Sequence, residues 1–134
     1  MTDFTTYLET RTLDFFLNAN SLSTTAPTTV YVALHTATPG EAGTASEATE
    51  TGYARAAVSF GSATTDTAGA TTISNDGAVS IGPITGTPTY THISIKDAAS
   101  SGNTLCYGAL SSNITLTSGD SVQFAVGNIS VTLD

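Results

Sequence analysis

Thr28-Thr29-Val30-Tyr31-Val32-Ala33-Leu34-His35 alternates, with Val30, Val32 and Leu34 on one side of an extended chain and Tyr31, Ala33 and His35 on the other. Successive strand side chains point to opposite faces, so this period of two specifies a strand with an apolar face turned to a core. The reading continues downstream. Ala56, Val58 and Phe60 alternate, a weaker strand surrounds Ile73, and residues 78–81 return from it. Residues 90–96 alternate most strongly, with Ile93 and Ile95 inward and Tyr90, His92, Ser94 and Lys96 on the other face. Residues 105–110 form a strand interrupted by Gly108, and Ile114 and Leu116 a short one. Val122, Phe124 and Val126 make the next, and Ile129, Val131 and Leu133 the last.

The breaks are as informative as the strands. Residues 38–52 hold Pro39, Gly40, Gly43 and Gly52 with Glu41, Glu47 and Glu50, and lack periodic apolar residues, so they read as a long exposed loop. Asn75-Asp76-Gly77 favours the positive φ angles of a tight hairpin turn. Residues 82–88 contain Pro83, Pro88, Gly82 and Gly86, which mark a connection outside any sheet interior. Short strands spaced by such signals predict a mainly β fold, an antiparallel two-sheet sandwich or jelly roll.

Upstream, residues 3–18 contain Leu, Glu and Arg but neither Gly nor Pro, which predicts a short N-terminal helix with Asp3 as its cap. At about 100° per residue, Phe4, Tyr7, Leu8 and Phe15 fall on one side, and Leu13, Phe16 and Leu17 on the other. One domain face cannot bury both. Either the aromatics at the far end tuck under the sandwich, or one stripe docks on a neighbouring subunit. This gives two segments: residues 1–27, helical or extended, as an assembly contact through Phe4, Tyr7, Leu8, Phe15 and Phe16, and residues 28–134 as the β-sandwich.

The 134 residues fit one domain. Only 10% are charged and the net charge is −8, with Arg11, Arg55 and Lys96 the only strong cations. No basic stripe can neutralise phosphates, so no nucleic acid partner is expected. No apolar run nears the length of about 20 residues that spans a bilayer, and no membrane partner is expected. Cys106 stands alone, which excludes an internal disulfide. After Met1 there is neither a basic nor an apolar leader segment, so synthesis and first folding are read as cytoplasmic.

Candidate chemistry is sparse. Cys106, His35 and His92 are the residue types of a thiolate nucleophile, but all three fall inside strands rather than at exposed turns, and they read better as a small apolar residue and two partly exposed histidines. Glu41, Glu47, Glu50 and Asp66 are the oxygen donors a calcium ion would need, without ligand-loop spacing. No cofactor, metal or catalytic role is expected, and the protein is read as no enzyme. Arg55 is the most informative charge: it sits where the acidic loop returns to the sheet, and reads as a clamp pinning that loop through Glu47 or Glu50.

Val30-Tyr31-Val32-Ala33-Leu34-His35-Thr36-Ala37-Thr38-Pro39, an acidic Gly loop and Gly52-Tyr53-Ala54-Arg55 resemble a family of small tailed-phage virion proteins, labelled tail fibre or capsid decoration proteins. Thr91-His92-Ile93-Ser94-Ile95-Lys96-Asp97, Tyr107-Gly108-Ala109-Leu110, Ser118-Gly119-Asp120 and Val131-Thr132-Leu133-Asp134 extend the resemblance, as does Tyr7-Leu8-Glu9 at the start. It implies a virion structural protein, made in the host cytoplasm and present as a homo-oligomer or in many copies. The partners it implies are the major capsid protein or other virion proteins. A compact acidic domain without a coiled coil or fibrous repeat, carrying an aromatic anchor, favours capsid decoration or cementing. The alternative is a tail or fibre-associated module that binds a host receptor through the loops at 41–52 and 62–70.

Overall fold

A computed structural model describes residues 3–17 and 26–133. In chain order the elements are β1 (Asp3–Phe4), α1 (Thr6–Leu17), β2 (Val30–His35), β3 (Ala56–Val58), β4 (Thr64–Thr65) and β5 (Thr71–Ser74). They continue with β6 (Val79–Ile81), β7 (Thr89–Lys96), β8 (Thr104–Thr115), β9 (Val122–Phe124) and β10 (Ser130–Leu133). All pairings are antiparallel. One layer is a five-stranded sheet ordered β1-β8-β7-β2-β3; the other is made of β10-β5-β4 and β6-β9. The mainly β sandwich read from the sequence is the fold of the protein.

The apolar faces meet between the layers. Val32, Leu34, Ile93 and Ile95 from the large sheet pack with Val79, Ile81, Val122, Phe124 and Ile129 opposite. Their removal from water, about 25 cal/mol per Å² of apolar surface, is the main force holding the layers together. Tyr90, expected on the outer face, is instead in this core. The ladder explains it: Tyr90 faces Ile114 while His92 faces Ala109, so two steps on β7 oppose five on β8. The bulge inverts the alternation upstream of His92 and swings Tyr90 inward. The same bulge makes β8 one twelve-residue strand where two were expected.

Two local expectations give way. Asp3 does not cap the helix; Asp3 and Phe4 pair with Tyr107 and Cys106 as β1, and Thr5 takes the cap, its Oγ1 accepting from the Leu8 N–H at 3.5 Å. A free strand edge on β8 outcompetes one further helical turn. Asn75-Asp76-Gly77 is no tight hairpin, because β5 pairs with β4 and β10 while β6 pairs with β9. The Asn75 side chain instead accepts from the Ile129 N–H (2.8 Å) and donates to the Gly77 and Ala125 carbonyls (2.7 and 3.0 Å). Those bonds tie the crossover to the turn after β9, beyond which Val126 is exposed and not part of the strand.

Within the 1–27 segment, Thr5 is buried and Phe4 packs against the core, whereas α1 lies against β8 with none of its residues buried. The expected helix end near Asn18, the rest of that segment from 18 to 25, and Asp134 lie outside the described residues.

Candidate functional site

The loop expected to be exposed, residues 38–52, lies partly down on the outer face of the large sheet. Pro39, Gly43 and Ala48 are buried, and beneath them His35, Ser94 and Lys96 are almost fully covered. Its apolar content is too small to show periodicity, so the contact is invisible in a hydropathy pattern. Two glycines allow the close approach. Gly43 has φ +67° and a Cβ there would lie 2.3 Å from the Thr104 side chain; Gly52 has φ +89° and a Cβ would lie 2.0 Å from the Pro83 carbonyl oxygen.

Glu47 is the centre of the polar cluster that fixes this loop. Its carboxylate accepts from Arg55 Nε at 2.7 Å, Arg55 Nη2 at 2.9 Å and the Tyr53 hydroxyl at 2.9 Å, and Lys96 Nζ lies 3.3 Å away. Arg55 Nη1 also donates to the Ala98 and Ser101 carbonyls, so one guanidinium joins the loop to the β7–β8 turn. Lys96 Nζ donates to the Gly43 carbonyl and to Thr104 Oγ1, and His35 bridges Ala45 O and Ser94 Oγ at 2.8 Å each. Burial by itself raises the pKa of Glu47, but the bonds from Arg55 and Tyr53 and the charge of Lys96 outweigh it and hold it at about 2. Burial pushes His35 below the usual imidazole range, which keeps it neutral.

The structure thus brings Arg55 to Glu47 and not to Glu50. Glu50 accepts from the Tyr90 hydroxyl at 3.0 Å, and Glu41 from the Tyr107 hydroxyl at 2.7 Å. Asp66 serves its own turn through the Ala68 and Ala70 N–H groups. The four carboxylates therefore have separate protein partners, and among the described residues no metal-holding group of His, Cys, Asp and Glu is formed. Tyr53, Lys96, His35 and Ser94 were not assigned to the clamp from sequence. The available signal was Lys96 at an outward strand position, where a cation needs an anion close by.

Cys106 is buried beside β7 and β1, and burial pushes its thiol up to about 12. His35, expected to be partly exposed, is fully buried, and its ring is occupied by Ala45 and Ser94; His92 bonds Thr91 Oγ1. Neither imidazole is a partner of the thiol in any hydrogen bond, so this trio lacks the contact that would make a thiolate.

The aromatic residues of the amino-terminal segment divide. Phe4 packs on the core, Tyr7 and Leu8 are half-buried, and Phe15 and Phe16 are 58% and 74% exposed. Leu13 and Leu17 beside them are 58% and 78% exposed, and the two Phe rings meet edge-to-face at 4.8 Å. Leu13, Phe16 and Leu17 are exposed on one side of the last turns of the helix, and Phe15, on the other side, reaches them through its ring contact with Phe16; exposed apolar surface of this kind marks an assembly contact.

The family model described as podophage GP4 fiber I protein gp80 matches residues 3–132. The chain belongs to this family. No curated protein matches it. Membership among the gp80 fibre proteins makes it a bacteriophage virion structural protein, and it favours the tail or fibre over the capsid shell. The family's match runs from β1 to β10, so the sandwich and the α1 patch both lie inside it. Among the described residues no helix is long and apolar enough to cross a membrane.

Proposed function

We propose that this protein is a fibre-associated structural component of a phage virion, assembled in several copies and acting without catalysis. The observation that carries the reading is the family match over nearly the whole chain, together with the exposed Leu13–Phe15–Phe16–Leu17 patch. Aromatics at the centre of an interface supply most of its binding energy, and here they stand on a short helix outside the core, where they can dock without disturbing the sandwich. The clamped loop keeps the outer face of the large sheet fixed during assembly. Capsid decoration rested on compactness without a fibrous repeat, an acidic surface and the amino-terminal aromatic anchor, and a fibre-associated domain can carry all three.

The test is to label intact virions with an antibody to this protein and image them by electron microscopy. Label confined to fibres at the tail supports the reading, and label spread evenly over the shell restores decoration. In parallel, particles assembled with Phe15→Ser and Phe16→Ser protein report on the patch: loss of incorporation supports it as the contact, and normal incorporation removes it.

A further inference from the structure

Over its second half, helix α1 turns its more apolar side away from the domain. Tyr7, Leu8, Arg11 and Asp14, on the side toward β8, are half-buried, whereas Leu13, Phe16 and Leu17 point outward and are exposed. Glu9 stands one turn before Leu13 on the same exposed side. Apolar residues at i, i+3 and i+4 on an exposed helix face are the anchors by which an amphipathic helix seats in an apolar groove. The domain itself leaves that face uncovered.

The charge beside α1 selects what covers it. Asp3 lies opposite Tyr107 in the β1–β8 ladder, and Glu41 accepts from the Tyr107 hydroxyl at 2.7 Å. That bond first, then burial, then the charges of Glu41, Asp3 and Glu9 push the hydroxyl up to about 12. Three carboxylates thus make one negative region where the first turns of α1 meet the 38–52 loop. The strong cations are turned elsewhere: Arg55 and Lys96 hold Glu47, and the Arg11 guanidinium stacks over the Tyr7 ring at 5.4 Å on the inward side of the helix. A second copy would bring the same carboxylates and a net charge of −8 to the contact, setting like charge against like. An anionic lipid surface is repelled in the same way, since the exposed side of α1 lacks the lysines and arginines of a helix that lies on membranes. A neutral groove would cover the apolar residues and leave the carboxylates unanswered. Charge complementarity leaves a partner whose groove is apolar within and basic at its edge.

We infer that α1 seats in an apolar groove of a different virion protein whose edge carries lysine or arginine, with Leu13, Phe16 and Leu17 in the groove and Asp3, Glu9 and Glu41 against the basic edge. The inference rests on the reading of the α1 patch as an assembly contact and adds the chemistry of the partner. The test uses virions raised by supplying the protein, wild type or variant, to a phage that lacks it, with copies per particle counted by quantitative mass spectrometry before and after washing in NaCl. Raising the salt from about 0.1 M to about 1 M shortens the screening length from about 10 Å to about 3 Å. Expected are fewer wild-type copies retained at the higher salt, and incorporation reduced about tenfold by Glu9→Lys as well as by Phe16→Ser. Both side chains are exposed, so both variants should keep the wild-type melting temperature, which separates a lost contact from a lost fold. The free protein should show no self-association that Phe16→Ser abolishes, and no flotation with vesicles of phosphatidylethanolamine and phosphatidylglycerol. Oligomers that Phe16→Ser dissolves would make a second copy the occupant, and flotation that Phe16→Ser abolishes would make it a membrane; either overturns the inference. Full incorporation of Glu9→Lys with retention indifferent to salt, while Phe16→Ser is excluded, removes the basic edge and ends only this inference. Normal incorporation of Phe16→Ser ends the assembly reading of the patch and this inference with it.

Discussion

Replacing Glu47 by Gln keeps the shape of the clamp and removes its charge. In the native protein the carboxylate faces Arg55 and Lys96, whose side chains are 9% and 3% exposed, while a fifth of its own surface is reached by solvent. Removing one partner of such a cluster leaves charge stranded, which costs about 3 kcal/mol, the lower end of the buried range because of that exposure. The pKa gives a consistent figure. Glu47 stands at about 2 when folded against an ordinary value of 4.5, so the folded state binds fewer protons than the unfolded one between those values. Its stabilisation is therefore complete above pH 4.5 and is lost as pH falls toward 2, and the whole interval corresponds to about 3 kcal/mol before allowance for screening.

Urea titrations of both proteins across pH give the assay. At neutral pH the midpoint of Glu47→Gln should lie about 2 M lower, for a slope of about 1.5 kcal/mol per M. Lowering the pH to about 3 should shrink the difference by about 2 kcal/mol, because the wild-type carboxylate is then losing what the variant never had. His35 titrates in both proteins and largely cancels in the difference. A gap under about 1 kcal/mol at neutral pH, or one that does not change with pH, refutes the view that charge holds the loop.

Gly43→Ala should destabilise by about 2 kcal/mol and raise hydrogen exchange at the loop amides Ala45 and Ala48, since the added methyl meets Thr104 in a left-handed backbone; unchanged exchange would mean the loop has room. Asn75→Ala should cost about 2–3 kcal/mol in chemical denaturation, as the Ile129 N–H and two carbonyls lose their partner; a near-neutral result would mean water replaces the amide. Cys106 should label with a maleimide at neutral pH only as fast as the protein opens, because its thiol is buried and pushed up to about 12; rapid labelling of folded protein would revive a nucleophilic role. Phe16→Ser should leave the melting temperature within a degree or two, as the ring touches no core residue, and a large drop would place it in the fold.

The sandwich was legible because most strands carry one apolar face, and Val32, Leu34, Ile93 and Ile95 announce it by alternation alone. What stayed hidden was decided by backbone geometry that side-chain identity does not encode. Nothing in Leu110-Ser111-Ser112-Asn113 announces the bulge that turns Tyr90 inward. Nothing polar at Asn75 separates a tight turn from a crossover pin; that choice belongs to strands sixty residues apart. Arg55 was identified as a clamp, since a lone cation beside an acidic loop has few other uses, but the choice between Glu47 and Glu50 required coordinates.

The residues behind the sequence resemblance converge on one place. His35, Tyr53, Arg55, Lys96 and Tyr107 come from four quoted motifs and each bonds the 38–52 loop, and Ser94, from the same motif as Lys96, holds the His35 ring from beneath. Together these residues hold a glycine-rich loop against a sheet, a task needing specific donors at specific positions. A contact patch needs only exposed apolar groups on a suitable shape. The side chains of Leu13, Phe15 and Phe16, by contrast, are exposed and contribute no hydrogen bond to the fold, so substitutions there should cost little stability. Variants at the clamp should alter stability with little change in assembly, and variants at the amino-terminal patch the reverse.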